Sequence, residues 1–193
     1  MPALVVAEVV LILVSWLINA ASPDLPVRSM LSNEGIRWFF GSFVSNMLKP
    51  LLVWLVLFCI AFGSLRDSGL WLHLRQLMSR PSAATYRQRL AIHFVIAELL
   101  AFSVVLVLLT CIPHAVLLSV TGSLFPGIFA KSIIPILAFI TVVCSLTYGI
   151  VSGTLRTLAQ VCHAMVSGFS TFAILFLLYI LGMELYESLC FVF

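Results

Sequence analysis

The chain has 193 residues, of which 63% are hydrophobic and only 9% are charged, and its formal net charge is +3. Soluble domains are about half apolar and about a quarter charged, so this composition excludes a soluble globular protein. A transmembrane β-barrel is excluded as well, because its strands would alternate apolar and polar residues, whereas the apolar runs here are continuous. The sequence therefore predicts an all-α polytopic membrane protein, in which helices satisfy the backbone polar groups.

The first apolar segment covers residues 3–21 and contains one acidic residue, Glu8. Its end, "NAAS", resembles the cleavage site of a signal peptide, but the segment lacks the basic region that precedes one. We therefore predict a retained transmembrane helix, with a cleaved signal peptide as the alternative.

The next segment, "SNEGIRWFFGSF", is polar at intervals and too short to span a bilayer. Ser32 is suited to cap a helix, and Glu34 in the first turn would favour the helix dipole. Trp38 is a residue typical of the headgroup level. Four apolar residues recur at i, i+3, i+4 and i+7, which is one helix face: Ile36, Phe39, Phe40 and Phe43. The pattern predicts an amphipathic interfacial helix over residues 32–46.

A basic loop, residues 65–89, separates the second predicted span, residues 47–64, from the third, residues 90–112. It contains most of the arginines of the chain: Arg66, Arg75, Arg80, Arg87 and Arg89. The positive-inside rule places this loop in the cytoplasm, with the N-terminus inside and the C-terminus outside. An apolar helical face in the loop also suits contact with the inner leaflet and its anionic lipids, and an ordinary topology-setting loop is the alternative.

Glu98 lies in the middle of the third span. An ionisable side chain there costs at least a few kcal/mol, so a functional role is the first hypothesis. His93 precedes it by a little more than one turn, on the same broad side, and we consider the two residues candidates for proton coupling. The alternative is a structural role, with a protonated Glu98 hydrogen-bonded to Ser103 or to a hydroxyl on a neighbouring helix.

The last two spans are predicted over residues 132–151 and 165–187, which makes residues 1–193 a single transmembrane domain with about five spans. Residues 113–129, "PHAVLLSVTGSLFPGIF", are predicted to form an interfacial loop or half-helix, with a sixth span as the alternative. Glu184 and Glu187, near the outer end of the last span, are expected to reach the headgroups.

The sequence contains no nucleophile motif, phosphate-binding loop or dinucleotide fingerprint, so we do not expect an enzyme or a cofactor. The adjacent Cys162 and His163 would point in different directions from a helix, which disfavours a shared metal ion. The small net charge does not suggest binding to nucleic acid.

Three stretches resemble the AbgT family of aminobenzoyl-glutamate transporters. "VRSMLSNEGIRWFFGSFVSNM", residues 27–47, is similar to the family's segment after its first span. "GSLRDSGL", residues 63–70, is similar to the end of its second span. Residues 129–169 resemble a late segment that contains a proline in a helix, here Pro135, followed by Tyr148-Gly149-Ile150.

The resemblance implies a scaffold of five helices that also makes the family's dimer contact. It further implies a shortened member, because the hairpins and broken helices of the family's substrate core have no counterpart here. The chain also has Cys144-Ser145 where the family favours Pro-Gly, and Arg66-Asp67 where it favours an acidic residue. No substrate-binding residue of the family can therefore be assigned to a position in this sequence.

The resemblance implies an inner-membrane transport protein that retains mainly the scaffold and dimerisation helices. Its expected partners are the lipid bilayer, a second copy of the chain joined through the interfacial helix, a small anionic solute, and a second membrane subunit. The alternative is a membrane scaffold, or a subunit of another membrane protein, that does not itself transport.

Overall fold

The computed structural model of the protein describes residues 2–22, 25–79, 85–111 and 128–193, with side chains described except at 77–79, 111 and 128–131. The predicted half-helix over residues 113–129 lies almost wholly outside the described residues, as does the alternative of a sixth span. Arg80 also lies outside them.

Within the described residues the chain forms seven α-helices and no strand. Their bounds are α1 Pro2–Ala21, α2 Asn33–Met47, α3 Pro50–Asp67, α4 Leu70–Ser79, α5 Tyr86–Cys111, α6 Ile128–Ser152 and α7 Leu158–Val192. Five of these (α1, α3, α5, α6 and α7) are long and apolar enough to cross a membrane. The prediction of an all-α polytopic protein with about five spanning helices is therefore confirmed.

Four spanning helices begin three or more residues from the predicted start of their span, and two of these differences have a local cause. The second spanning helix begins at Pro50 rather than residue 47, because proline fits the first turn of a helix and Met47 still belongs to α2. The last helix begins at Leu158 rather than residue 165, since residues 158–164 contain neither Gly nor Pro to interrupt it. At 35 residues α7 is longer than a single span requires, and its backbone departs from helical geometry at Phe172.

The chain divides into two compact units, and α3 and α7 each contribute to both. The first unit consists of Met1–Val53 and Ala173–Phe193. Its core is formed by Leu11, Met30 and Val192, and Trp38 stacks on Phe191 at its edge with ring centroids 4.4 Å apart. The Arg28 amide donates to the carbonyl oxygen of Val192 across 3.1 Å, which fixes the segment before α2 to the end of α7.

The second unit consists of Trp54–Phe172. Its core joins α4, α5 and α6 through five buried residues: Leu70, Ala91, Val95, Cys144 and Tyr148. α6 ends in a turn that needs Gly153, which adopts φ +81, a conformation that other residues rarely tolerate. The prediction that the two units form one transmembrane domain stays a prediction.

Candidate functional site

Glu98 is half-buried on the face of α5 that packs against α6. That face is set by helical spacing, because Ala91, Val95 and Glu98 follow one another at i, i+4 and i+7. One carboxylate oxygen, Oε1, accepts a hydrogen bond from the Thr147 hydroxyl of α6 across 3.3 Å. The other oxygen, Oε2, is buried and has no hydrogen-bond partner in the described residues. The Cys144 thiol of α6 also faces this carboxylate, so the site combines Glu98 with one hydroxyl and one thiol of the neighbouring helix.

The structure does not bring His93 and Glu98 together. His93 is exposed, off the face of α5 that carries Glu98, and no described contact joins the two side chains. Ser103 is not the partner of Glu98 either, since its hydroxyl donates to the Leu99 carbonyl of its own helix across 2.8 Å. Of the partners considered from the sequence, the hydroxyl on a neighbouring helix is the one that the structure supplies.

A second group of carboxylates lies in the first unit. Glu8 of α1 accepts a hydrogen bond through Oε1 from the Ser188 hydroxyl of α7 across 2.8 Å, and its Oε2 is buried without a partner. Glu184, one turn before Ser188, is only 6% exposed. Neither of its carboxylate oxygens has a described hydrogen-bond partner. The expectation that Glu184 reaches the headgroups is therefore wrong, because α7 turns this side chain inward.

Glu187 differs from Glu184 because it has a cation beside it. The Lys49 ammonium lies 2.9 Å from the Glu187 carboxylate, and this lysine sits in the short link before α3. The hydrogen bond and negative charge of Glu187 raise the pKa of Lys49 above its usual value of 10.5. Lys49 therefore stays charged throughout the neutral range and holds this link to α7.

Sequence reasoning missed the grouping of Glu8, Glu184 and Ser188, although part of the signal was present. Glu184, Ser188 and Val192 recur every four residues, which places them on one face of α7. Val192 is apolar and Ser188 is small, so this face was suited to packing rather than to contact with the headgroups. No local pattern, however, identifies Glu8 of α1 as the partner.

A helix, α2, forms where the interfacial helix was predicted, and its cap is confirmed. The Ser32 hydroxyl accepts a hydrogen bond from the Gly35 amide across 3.0 Å, with Glu34 in the first turn. Three of the predicted apolar residues, Ile36, Phe39 and Phe40, line one depression, but the apolar residues of this helix differ in burial. Trp38 and Phe39 pack against the core of the first unit, whereas three others are exposed: Ile36, Phe40 and Phe43.

The predicted basic loop contains α4, and it extends from the last turn of α3, which holds Arg66, into the first turn of α5, which holds Arg87 and Arg89. Four of its five predicted arginines are described, and all four are exposed: Arg66, Arg75, Arg87 and Arg89. His73 is instead buried in the second unit, where its ring lies 5.8 Å from that of Tyr148. The loop therefore presents its charges outward while its helix is anchored by apolar and aromatic contacts.

No group of three His, Cys, Asp or Glu side chains in the described residues is placed to hold a metal ion. Cys162 and His163 are both exposed, and His163 Nδ1 lies 3.6 Å from the Asp67 carboxylate.

A model of the AbgT putative transporter family matches residues 72–185, which is more than half of the chain. The matched region runs from α4 into α7 and includes Glu98, Thr147 and Glu184. The stretch 129–169 lies inside it, whereas the similar stretches 27–47 and 63–70 lie outside. No curated protein and no solved structure matches the chain.

Proposed function

Because the chain belongs to the AbgT transporter family, we propose that it forms the scaffold part of a membrane transporter for a small anionic solute such as aminobenzoyl-glutamate. In this proposal the scaffold works as a homodimer, and a second membrane subunit contributes to solute binding. Glu98 is the group that couples transport to protons.

The scaffold role rests on one observation, the backbone contact between α3 and α7 within the second unit. A Cβ atom added at Gly63 would lie 2.6 Å from both the Ala164 carbonyl oxygen and the Gly168 amide nitrogen. The helices can approach this closely only because both contact residues are glycine. Small residues at such crossings are typical of membrane helices that stay packed, which is the property that a scaffold requires.

The proposed coupling role of Glu98 rests on a difference in hydrogen bonding between its two carboxylate oxygens. Thr147 supplies a donor to one of them, and the other is buried without one. A charged carboxylate in that position lacks the hydrogen bonds that water would provide, whereas binding a proton removes the charge. In this proposal a proton that binds Glu98 neutralises the site, and transport is coupled through that step.

The test is Glu98→Gln, with uptake of aminobenzoyl-glutamate measured against pH in vesicles from cells that contain the native membrane partners. The amide keeps the shape of the side chain and can still accept from Thr147, so we expect normal folding but a pH-independent rate. His93→Gln is the matched control, because it removes an exposed titratable group of the same helix and should leave the pH profile unchanged. An unaltered profile in Glu98→Gln would exclude the coupling role.

The second candidate function is that of a scaffold that does not transport. The lining of a groove between α3 and α6 favours it. Of the described residues that line it, only Thr141 is polar. An anionic solute would need donors or cations that this lining does not offer.

A gentle pull-down from native membranes, followed by native mass measurement, separates the two candidates. A stoichiometric membrane partner supports the divided transporter, and flux assays should then use the pair. A homodimer alone, with no flux above the background of empty membranes, supports the scaffold.

We further propose that the protein resides in the inner membrane with its N-terminus in the cytoplasm and its C-terminus outside. The four exposed arginines of the basic loop support this orientation, since positive residues accumulate in cytoplasmic loops.

A further inference from the structure

An apolar groove runs between α3 and α6 in the second unit. It is lined by Phe58, Phe62 and Leu65 of α3 and by Ile134, Leu137 and Ala138 of α6. The hydroxyl of Thr141, which also lines the groove, donates to the Leu137 carbonyl across 2.8 Å. The described lining of the groove therefore presents hydrocarbon with no free donor, and it is suited to another hydrocarbon chain.

A second depression adjoins this groove and has a different chemical character. It shares Phe62 and Leu65 with the groove and adds Arg66 and Trp71. Arg66 is exposed, and its guanidinium forms no hydrogen bond or ion pair within the described part of the chain. Trp71 is 61% exposed. A free guanidinium beside an exposed tryptophan, at the end of an apolar groove, is typical of the headgroup level of a membrane.

The sequence of the second unit carries a net positive charge. Residues 54–172 include seven Arg or Lys residues but only two acidic ones, Asp67 and Glu98. Asp67 faces His163, and Glu98 is bonded to Thr147. Neither acid is thus paired with Arg66, and the ligand that complements this end of the groove is an anion.

We propose that this groove binds one anionic phospholipid, with an acyl chain between α3 and α6 and the phosphate on Arg66. The guanidinium offers a fork of N–H donors that matches a phosphate, and Trp71 packs at the level of the glycerol. Basic pockets between membrane helices select anionic headgroups in the same manner. The site is distinct from Glu98 and does not depend on whether the protein transports.

The test is native mass spectrometry of the full chain, delipidated in detergent and titrated with phosphatidylglycerol or phosphatidylcholine of identical acyl chains. We expect the first phosphatidylglycerol to bind about fivefold to tenfold more tightly, which corresponds to one favourable contact between arginine and an anionic headgroup. Arg66→Gln should abolish this preference. Arg75→Gln, which removes an exposed arginine of α4 that does not line the groove, should retain it.

Ala138→Phe tests the acyl-chain part of the site separately. The larger side chain should fill the groove and weaken binding of both lipids several-fold, while circular dichroism shows unchanged helix content. Arg66→Lys is a second headgroup variant, and it should keep part of the preference because the charge remains without the fork.

Four results would overturn the proposal. Equal binding of the two lipids by the unaltered chain would show that the groove has no headgroup preference. If Arg66→Gln and Arg75→Gln reduce the preference for phosphatidylglycerol equally, the attraction is spread over the surface and is not specific to Arg66. Displacement of phosphatidylglycerol by inorganic phosphate alone would indicate a site for free phosphate. A co-purifying protein released by Ala138→Phe would identify a partner helix as the occupant.

Discussion

At the scale of single residues, the carboxylates in the spanning helices differ in how far their surroundings satisfy them. Glu98 and Glu8 each accept one hydrogen bond from a hydroxyl on another helix, donated by Thr147 and Ser188 respectively. Glu184 has no such donor in the described residues. Because a carboxylate in lipid is costly unless it is neutralised or bonded, each of these hydroxyls also holds two helices together.

The bond from Ser188 to Glu8 should contribute measurably to stability. Ser188→Ala removes the only described donor to Glu8 and should lower the free energy of unfolding by about 1–2 kcal/mol. Ser170→Ala is the control, since this exposed hydroxyl donates to the Ser167 carbonyl of its own helix. Reversible unfolding in mixed micelles measures both variants, and equal effects would show that the bond between the helices adds nothing.

The ion pair of Lys49 and Glu187 predicts a dependence on alkaline pH. Glu187 raises the pKa of Lys49, so the stabilisation is fully present below pH 10.5 and is lost as pH rises through the raised value. At pH 8 we expect Glu187→Gln to have a lower melting temperature than the unaltered chain. This difference in melting temperature should shrink above pH 10.5.

Glu34→Gln is the control for this experiment. Its partner Arg28 is 3.9 Å away, both side chains are exposed, and arginine keeps its charge over this range. A difference for Glu187→Gln that persists unchanged to the highest pH would contradict the assignment to Lys49.

At the scale of the helices, the crossing of α3 and α7 depends on the absence of a side chain at Gly168. A Cβ atom there would collide with the Cys59 carbonyl group, whereas a Cβ atom at Gly182 of the same helix would meet nothing within 4 Å. Gly168→Ala should therefore destabilise the protein by about 1–3 kcal/mol through overpacking. Gly182→Ala should be neutral or slightly stabilising, because alanine favours the helix.

Thermal unfolding of these two variants provides the measurement. If both variants unfold at the same temperature as the unaltered chain, the crossing of α3 and α7 tolerates a side chain at position 168. The scaffold role then loses the observation on which it rests.

The apolar residues of α2 differ in how deeply they are buried. Spacing grouped Phe39 with Phe40, and their rings lie together with centroids 5.4 Å apart. Phe39 packs on the core of the first unit, and Phe40 is 77% exposed. The core side includes Trp38 because its ring stacks on Phe191, a contact that helical periodicity cannot reveal.

At the scale of the whole molecule, the exposed side of α2 is the surface through which we expect two copies to associate. The double substitution Phe40→Ser and Phe43→Ser removes exposed aromatic rings while leaving Phe39 in its core. We expect dimers of the unaltered chain in mild detergent and monomers of the variant, distinguished by light scattering.

Leu100→Ser is the control for dimerisation, since Leu100 is 62% exposed on α5. It should remain dimeric. If the variant of α2 also remains dimeric, this helix serves only as a membrane-surface anchor, and the dimer contact lies elsewhere.

The sequence by itself determined the membrane class, the number of long apolar helices, the cap at Ser32 and the presence of an acid within the third span. These features are local, because hydropathy over about 20 residues and the need to satisfy every backbone group in lipid leave the helix as the only solution. Only the tertiary structure decided which hydroxyl reaches Glu98, that Glu184 is buried, and that α3 and α7 meet at glycines. Thr147 is 49 residues from Glu98, and Ser188 is 180 residues from Glu8. Such pairs depend on which helix faces come together, and that is set by packing between helices rather than by the pattern along any one of them.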